Sequence, residues 1–470
     1  MPSELQTLAF DPIDPKVALA QLPQSPAVFA LYGAEAHFEP YIGRTPNLSA
    51  RLARLLQPSP KHPRRLQLAG RVRRIEWRLT GSDFESLLTQ FSLLEGIYGA
   101  KSLERMHLGA PAFVRFLGGN PYPRIVVTHR PSQREADWAY GPFQSRTAAE
   151  RFADEALKLF LLRRCTEDLD PNPSHPGCVY SEMKMCLAPC YKGCTDERYA
   201  DEAATVESFL ATRGDSRLVV LRTQRDQASA NLEFESAAAV HAQVQRVEAV
   251  RSLAQELVRP LSQLRAVILQ ASANPDEIAV FLFENARLRG PAAFSTLGMR
   301  IQNEQSGSTS LFAHPVAIEA IPEVQPEPHA PREQAAEKQD PPLSTCRGTT
   351  SVVPQMTQDE PVALAPEENP PAGSPENSPQ PAKLPRGVLE SRLEAALATL
   401  AEPSDASSAT LRQGHLALLK RWYYRPEARR TGEIFFPDSA GHWPVKAILR
   451  GIGRVAASGL TGSTPRRRDA

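Results

Sequence analysis

The chain has 470 residues, of which 41% are hydrophobic and 23% are charged, and its formal net charge is +1. This length allows two or three domains with ordinary apolar cores. The apolar runs are too short to cross a membrane, and the N-terminus lacks the charged start, apolar block and cleavage site of a signal peptide, so we expect a cytoplasmic protein.

The near-zero net charge conceals blocks of opposite sign. Ten Lys/Arg and one acid fall between Arg44 and Arg78, whereas residues 302–388 hold five basic and twelve acidic residues. From residue 389 to the end, thirteen basic residues face eight acids. The first basic block suits an anionic partner such as nucleic acid, and the alternative is a solvated charged face.

The N-terminal part predicts a small domain over residues 20–105. The predicted elements are strands at 27–32, 38–43 and 74–79 and helices at 48–56 and 83–98. A Gly-containing turn between the first two strands indicates a hairpin. Asn47 can cap the first helix, and Ser82 or Asp83 the second. The predicted order is therefore β-β-α-β-α.

Short elements continue the folded part. The patterns predict strands at 112–116 and 124–129, helices at 146–162, 196–212 and 217–256, and a hairpin of strands at 266–270 and 277–283. The next stretch holds sixteen Pro between Pro315 and Pro385 and few aromatic residues. Such a composition cannot bury enough apolar surface to fold, so residues 302–388 are predicted to be a disordered linker.

The residues after the linker, 389–470, predict an α-rich segment of unrecognised family. Its predicted elements are helices at 389–400, 409–423 and 444–456 and a strand at 433–436. Residues 416–426 read LALLKRWYYRP, which mixes cations with aromatic rings. This mixture suits phosphate contact with base stacking, and the alternative is a core helix whose cations reach solvent.

Residues 41–51 read YIGRTPNLSAR. This run resembles the second half of the motif of GIY-YIG nucleases, in the form found in UvrC/Cho-type excinuclease subunits. The resemblance implies an α/β domain with a small antiparallel sheet and flanking helices, which hydrolyses phosphodiesters with Mg²⁺ or Mn²⁺. It assigns Tyr41 to water activation, Arg51 to transition-state stabilisation and Arg44, a family Lys position, to phosphate contact. The alternative is a packed Tyr41 and a surface cation at Arg51.

Three positions depart from the family pattern. Phe29 stands where the first strand normally has Tyr, Gln90 stands at the position of the metal-ligand Glu, and Ser102 replaces an Asn. A neutral amide in place of the single protein carboxylate weakens Mg²⁺ binding. Glu85 and Glu95 lie on other faces of the predicted helix and do not substitute easily. We therefore expect weak or absent cutting.

Five of the six cysteines are clustered. They are Cys165, Cys178, Cys186, Cys190 and Cys194. In a cytoplasmic chain, clustered cysteines indicate metal binding or redox chemistry before disulfides. The first four have the spacing C-x12-C-x7-C-x3-C, which resembles the UvrC positions that hold a [4Fe–4S] cluster; zinc and free thiols are the alternatives. Cys194 lies outside the pattern, and Cys346 lies in the predicted linker.

Residues 232–238 read LEFESAA and resemble the core of the UVR motif, through which UvrC binds UvrB. The resemblance makes Phe234 the expected anchor of that interface, flanked by Leu232, Ala238 and Val244. The alternative is a plain amphipathic helix.

The resemblance also divides the chain. It implies a middle region with the Cys cluster at 106–200, a helical hairpin with the UVR motif at 201–260, and the opening of an RNase H-like domain at 264–300. We find no set of acids after the linker for a second nuclease, so the chain is expected to be a truncated UvrC type that lacks the second incision.

Three functions follow from these predictions. The first is a UvrC-like excision-repair protein that incises damaged DNA with UvrA and UvrB. The second is an inactive adaptor that still binds DNA and UvrB, because position 90 is Gln. The third is a nuclease that acts outside excision repair.

Overall fold

The computed structural model describes residues 5–35, 38–56, 68, 70–299, 384–402 and 408–461. All of these residues belong to one compact unit of the chain. The predicted linker and Cys346 lie outside the described residues, apart from 384–388, where a helix already begins at Arg386. None of the described helices is long and apolar enough to cross a membrane.

The first sheet is antiparallel, in the order β1-β4-β2-β3. Its strands are β1 (Gln6–Ala9), β2 (Ala27–Gly33), β3 (Tyr41–Thr45) and β4 (Val72–Leu79), and its helices are α1 (Pro15–Ala20), α2 (Leu48–Leu56), α3 (Asp83–Tyr98) and α4 (Lys101–Arg105). Ala27, Phe29 and Leu31 alternate along β2 and enter a core shared with α1 and α2.

The predicted order β-β-α-β-α is present from β2 to α3. The second strand begins at Tyr41 rather than at residue 38, because Pro40 has no amide hydrogen to donate to a ladder. Ser82 caps α3, since its hydroxyl accepts a hydrogen bond from the Glu85 N–H at 3.1 Å. The prediction missed β1, a four-residue edge strand whose side chains are mostly exposed.

The second sheet is also antiparallel, in the order β6-β5-β7-β8. Its strands are β5 (Ala112–Phe116), β6 (Ile125–Thr128), β7 (Ala139–Phe143) and β8 (Arg259–Pro260), and the region's helices are α5 (Arg146–Leu157), α6 (Val179–Glu182), α7 (Asp196–Ala211), α8 (Asp215–Ala230) and α9 (Phe234–Ser252). The Phe143–Phe152 pair packs α5 onto β7, and the Phe160–Phe209 pair packs the chain after α5 onto α7.

The helix predicted over 217–256 is two helices, so that prediction was wrong. Leu232 has φ +65°, a left-handed conformation that ends α8, and α9 begins at Phe234. Continuous helical periodicity across this region hid a single-residue reversal. The two helices pack along each other, with an ion pair of 2.8 Å between Arg222 and Glu248.

The third sheet joins two parts of the sequence that lie far apart. Its order is β11-β10-β9-β12, all antiparallel. Its strands are β9 (Ala266–Ala271), β10 (Glu277–Glu284), β11 (Arg287–Ser295) and β12 (Glu433–Phe435), and the last helices are α10 (Arg386–Ala401), α11 (Ala409–Tyr423) and α12 (Val445–Thr461). The segment after residue 384 therefore completes the sheet that begins at 266.

The two faces of this sheet have separate cores. Val267 and Leu269 of β9 pack against α10 and α12, whereas Ala266 and Ile268 point to the opposite face, toward α11 and α3. The whole is a mixed α/β fold with small antiparallel sheets and flanking helices, which confirms the predicted class at that level.

Helix α11 is a core helix on its apolar side. Trp422 is 1% exposed, its indole N–H donates to the Thr431 carbonyl at 3.1 Å, and its ring lies 5.2 Å from that of Phe84 in α3. A β-carbon at Gly414 would collide with the Phe91 ring, so α11 approaches α3 as closely as a glycine permits. The contact with α3 fixes the end of α11 beside the first sheet.

Candidate functional site

The turn between β3 and α2 is built by two side chains of the predicted motif. The Thr45 hydroxyl donates to the Asn47 carbonyl at 2.9 Å, and the Asn47 side-chain oxygen accepts from the Ala50 N–H at 2.9 Å. Asn47 therefore caps α2, as predicted. Arg51 follows in the first turn of that helix, half-buried and without an ion-pair partner in the described part of the chain.

Tyr41 and Phe29 share one face of the first sheet. Their ring centroids lie 6.1 Å apart, and both pack on the core beneath α2. The Phe29 ring is fully buried and lies against Gly43, where a β-carbon would come within 2.8 Å of Cζ. The glycine of the motif is thus required by the aromatic ring on the neighbouring strand.

Arg44 points to the other side of β3 and meets the start of α3. Its guanidinium contacts one carboxylate oxygen of Asp83, and the other oxygen accepts from Arg425 Nη2 at 2.7 Å. Burial lowers the pKa of Arg44, and repulsion from Arg421 and Arg425 lowers it further. Neither Arg421 nor Arg425 was predicted to be part of this site.

Gln90 lies in the middle of α3, which packs against β3. One end of α3 meets Arg44 through Asp83, and near the other end the Tyr98 hydroxyl donates to the Pro40 carbonyl at 3.1 Å. Gln90 is seven residues after Asp83, which places it on the same side of α3, about 10 Å along the axis. It is half-buried.

The nearby carboxylates have other partners. Glu85 is buried and accepts from the Gly81 N–H at 2.9 Å; burial raises its pKa. Glu95 accepts from the Ser408 hydroxyl at 3.0 Å. Ser102 is fully buried, and its hydroxyl has no hydrogen-bond partner among the described residues. Each of the two acids thus has a hydrogen-bond partner near its own end of α3, away from position 90.

The cysteine loop brings the four predicted thiols near one another. Burial raises the pKa of Cys186, and the thiols of Cys178, Cys190 and Cys165 add to the increase. Tight reversals fold the loop back, with φ +81° at Gly177 and +54° at Ala188. Among the described residues, no three His, Cys, Asp or Glu side chains converge to hold a metal ion.

The donors around these thiols suit an anionic sulfur centre. The N–H groups of Ala188 and Tyr191 point to the sulfurs of Cys186 and Cys190. Arg163 is 1% exposed, and its guanidinium lies 3.6 Å from Cys165 Sγ. A buried cation needs a compensating charge, and four thiolates around a metal centre would supply it.

The turn between α8 and α9 presents two large apolar side chains to solvent. Leu232 is 71% and Phe234 is 66% exposed, and Ala238 is exposed one turn later. Val244, in contrast, is 3% exposed within the core of the second sheet, so it cannot flank a partner there. The exposed pair leaves an apolar tip on the helical hairpin.

Comparisons with known proteins define the class. Residues 113–209, which include three of the four strands of the second sheet and the Cys loop, match the family model of the UvrC/Cho excinuclease middle domain. The chain is therefore similar to UvrC-type excinuclease subunits, which confirms the predicted resemblance at that level.

Individual relatives agree. The chain is 27% identical over 281 residues to the UvrABC system protein C of Alcanivorax borkumensis, covering 60% of this chain and 46% of that protein. It is 27% identical over 241 residues to the proteins of that name from Pseudomonas protegens and Escherichia coli O1:K1, covering 51% of this chain and 39% of each relative. The chain thus spans less than half the length of these relatives. No solved structure matches it.

Proposed function

We propose that this chain is a nucleotide-excision-repair protein of the UvrC type, which acts on damaged DNA together with UvrA and UvrB. The observation that carries the proposal is the match of residues 113–209 to the UvrC/Cho middle domain. The motif over β3 and α2 supports it, because that motif resembles the phosphate-facing half of a GIY-YIG site.

Incision of one phosphodiester would use the first sheet as a GIY-YIG domain. Tyr41 orients the attacking water, Arg51 stabilises the charge that develops on the phosphate, and Arg44 contacts a neighbouring phosphate. Arg51 is half-buried and lacks an ion-pair partner among the described residues, so its charge is available to a substrate. Mg²⁺ or Mn²⁺ would lie near Gln90.

A second candidate function is a non-catalytic adaptor that binds DNA and UvrB. Gln90 favours it, because a neutral amide replaces the family's carboxylate, and Glu85 and Glu95 each have a hydrogen-bond partner away from position 90. Phe29 also lacks the hydroxyl of the first family tyrosine, in a fully buried position.

The cofactor belongs to the proposal as well. Cys165, Cys178, Cys186 and Cys190 would hold a [4Fe–4S] cluster, with zinc as the alternative. The N–H groups at two of the sulfurs and the buried Arg163 support an anionic centre. If the protein purified under anaerobic conditions contains zinc and shows no iron–sulfur absorbance, the four cysteines hold zinc and the cluster assignment is wrong.

Nicking of a lesion-bearing duplex tests the function. The full chain is assayed in Mg²⁺ or Mn²⁺, with and without UvrA and UvrB, beside Arg51→Ala and a matched control, Arg54→Ala on the same helix. If the domain cuts, Arg51→Ala lowers the rate by about 100-fold or more, and Arg54→Ala has little effect.

Gln90→Glu separates the two candidates. An inactive wild-type chain whose Gln90→Glu variant nicks DNA is an adaptor that has lost its metal ligand. A wild-type chain that neither nicks DNA nor binds UvrA–UvrB–DNA complexes contradicts the proposal as a whole.

A further inference from the structure

We propose that the end of α11 completes a phosphate-binding site on the first sheet, in which Arg44 and Arg425, both paired with Asp83, and the nearby Arg421 bind the backbone of duplex DNA. We call these four residues the arginine clamp. The inference rests on the proposed function, because it assigns DNA as the ligand, and it adds two binding residues from a segment outside the residues that the family model covers.

Asp83 is the centre of the clamp. As the first residue of α3, it contacts Arg44 of β3 with one oxygen and Arg425, beyond the end of α11, with the other at 2.7 Å. The side chains remain open to solvent, with 35% of Arg44, 40% of Asp83 and 24% of Arg425 exposed. A ligand can therefore reach all three.

The clamp has an excess of positive charge. Two guanidinium groups share the Asp83 carboxylate, and Arg421 lies near Arg44, which leaves a formal charge of +2 on the four residues. Arg421 lies one helical turn before Arg425, is exposed, and has no ion-pair partner in the described part of the chain. Burial lowers the pKa of Arg44 and repulsion from Arg421 and Arg425 lowers it further, so a bound anion would offset part of this repulsion.

The geometry is held in place before any ligand arrives. Trp422, between the two arginines, is 1% exposed and packs against Phe84 of α3 at 5.2 Å. The Arg425 N–H donates to the Trp422 carbonyl at 3.2 Å. The backbone that carries Arg421 and Arg425 is therefore held against α3, and the ion pairs with Asp83 already order the side chains of Arg44 and Arg425 before a ligand binds.

The chemistry favours a phosphodiester backbone. One guanidinium group can donate two parallel hydrogen bonds to two oxygens of a phosphate. Several guanidinium groups in one patch therefore suit a chain of phosphates better than a single phosphate ion. The clamp lies on the side of α3 that carries Gln90, so a strand held there would pass the candidate incision site. Backbone contacts of this kind position DNA without reading its sequence.

Salt-dependent DNA binding tests the clamp. Fluorescence anisotropy of a labelled 30-base-pair duplex is measured from 50 to 300 mM KCl for the full chain, the double variant Arg421→Gln/Arg425→Gln and the control Arg450→Gln, an exposed arginine on α12. Each lost phosphate contact should reduce the slope of log affinity against log salt by about 1. We expect the magnitude of this slope to decrease by about 1 to 2 in the double variant and to stay the same in the control. The decrease should be equal for duplexes of unrelated sequence.

A variant with the opposite effect on DNA binding excludes misfolding as the explanation for lost affinity. Asp83→Asn removes the only negative charge of the clamp and should strengthen DNA binding, which an unfolded protein cannot do. If wild type binds DNA but the double variant keeps its affinity and slope, the clamp is wrong and the proposed function survives. If the double variant loses only the binding of an acidic peptide, the ligand class is wrong. If wild type does not bind duplex DNA, the clamp is wrong, and the proposed function is decided by the nicking assay and by binding to UvrA–UvrB–DNA complexes.

Discussion

Single residues in the candidate site play different parts. Arg51 and Arg44 keep the cationic character that a phosphate requires, and Asn47 keeps its role as a helix cap. Phe29 and Ser102 are fully buried, so changes at these two positions alter the interior of the domain more than its surface. Gln90 is the altered position that remains within reach of solvent.

His415 makes stability depend on pH. Its ring is 4% exposed, Nδ1 accepts from the Leu288 N–H at 3.0 Å, and Nε2 has no hydrogen-bond partner among the described residues. Burial, aided by Arg287, lowers its pKa from 6.5 to about 3. The folded state therefore holds the neutral ring, while the unfolded chain gains a proton as the pH falls below 6.5.

The consequence is a loss of stability on the acidic side. Because the folded pKa is depressed, the free energy of unfolding should fall between pH 6.5 and about 3, by about 2 kcal/mol from pH 7 to pH 5. Urea unfolding at the two pH values measures it. His415→Asn keeps an acceptor for the Leu288 N–H and should show a smaller decrease in the free energy of unfolding between the two pH values. An equal decrease in both proteins would contradict the assignment to His415.

At the scale of elements, the α8–α9 hairpin presents its apolar tip to solvent. Phe234→Ser should weaken UvrB binding by more than about 2 kcal/mol if the ring anchors the interface. It should leave the unfolding midpoint unchanged, because the side chain is 66% exposed. Val219→Ser, which alters a residue of α8 that is 64% exposed, is the matched control. Calorimetric titration with UvrB distinguishes the two variants. Equal affinities of the two variants for UvrB would show that Phe234 is not the anchor of the interface.

The contact of α11 with α3 depends on a glycine. Gly414→Ala places a methyl group against the Phe91 ring and should destabilise the protein by about 1–3 kcal/mol. Gly453 in α12 has no neighbour within 4 Å of an added β-carbon, so Gly453→Ala should stabilise by about 0.5–1 kcal/mol. Thermal unfolding of the two variants gives the comparison. A stabilised Gly414→Ala protein would mean that α11 does not pack here as described.

Local signals in the sequence were enough for the elements from β2 to α3. Alternating apolar residues, a turn glycine and the caps Asn47 and Ser82 act over a few residues, and each is visible in one stretch of sequence. The reversal at Leu232 was missed because a left-handed leucine carries no compositional mark. The partners of Arg44 were missed because Arg425 comes from the other end of the chain.

For the whole molecule, the pairing of β9 with β12 is the decisive connection. Ile268 pairs with Ile434, and the intervening chain includes the predicted linker. The sequence patterns predicted residues 264–300 and 389–470 as two separate regions. Pairing between strands so far apart in the sequence depends on tertiary packing and leaves no local pattern that would reveal it. The third sheet has a helical cover on both faces only when these parts are together.

Two separate pieces should therefore associate. Residues 1–300 and 384–470, produced as two chains in one cell, are expected to co-purify, because the four strands of the third sheet and the helices that pack on it all lie within these two pieces. Trp422→Ala removes a fully buried ring at a cost of about 3–5 kcal/mol and should reduce the yield of the complex. Pieces that are soluble alone and do not bind each other would contradict this prediction.

The same strand pairing delays folding during synthesis. Both apolar faces of β9–β11 leave the ribosome before α11, β12 and α12, which follow up to 166 residues later, since Ser295 ends β11 and Thr461 ends α12. At 5–20 residues per second, this interval is about 8–33 s. For that time the nascent chain exposes the apolar face that α10 and α12 later cover, and a chaperone that binds extended apolar segments can protect it during this interval.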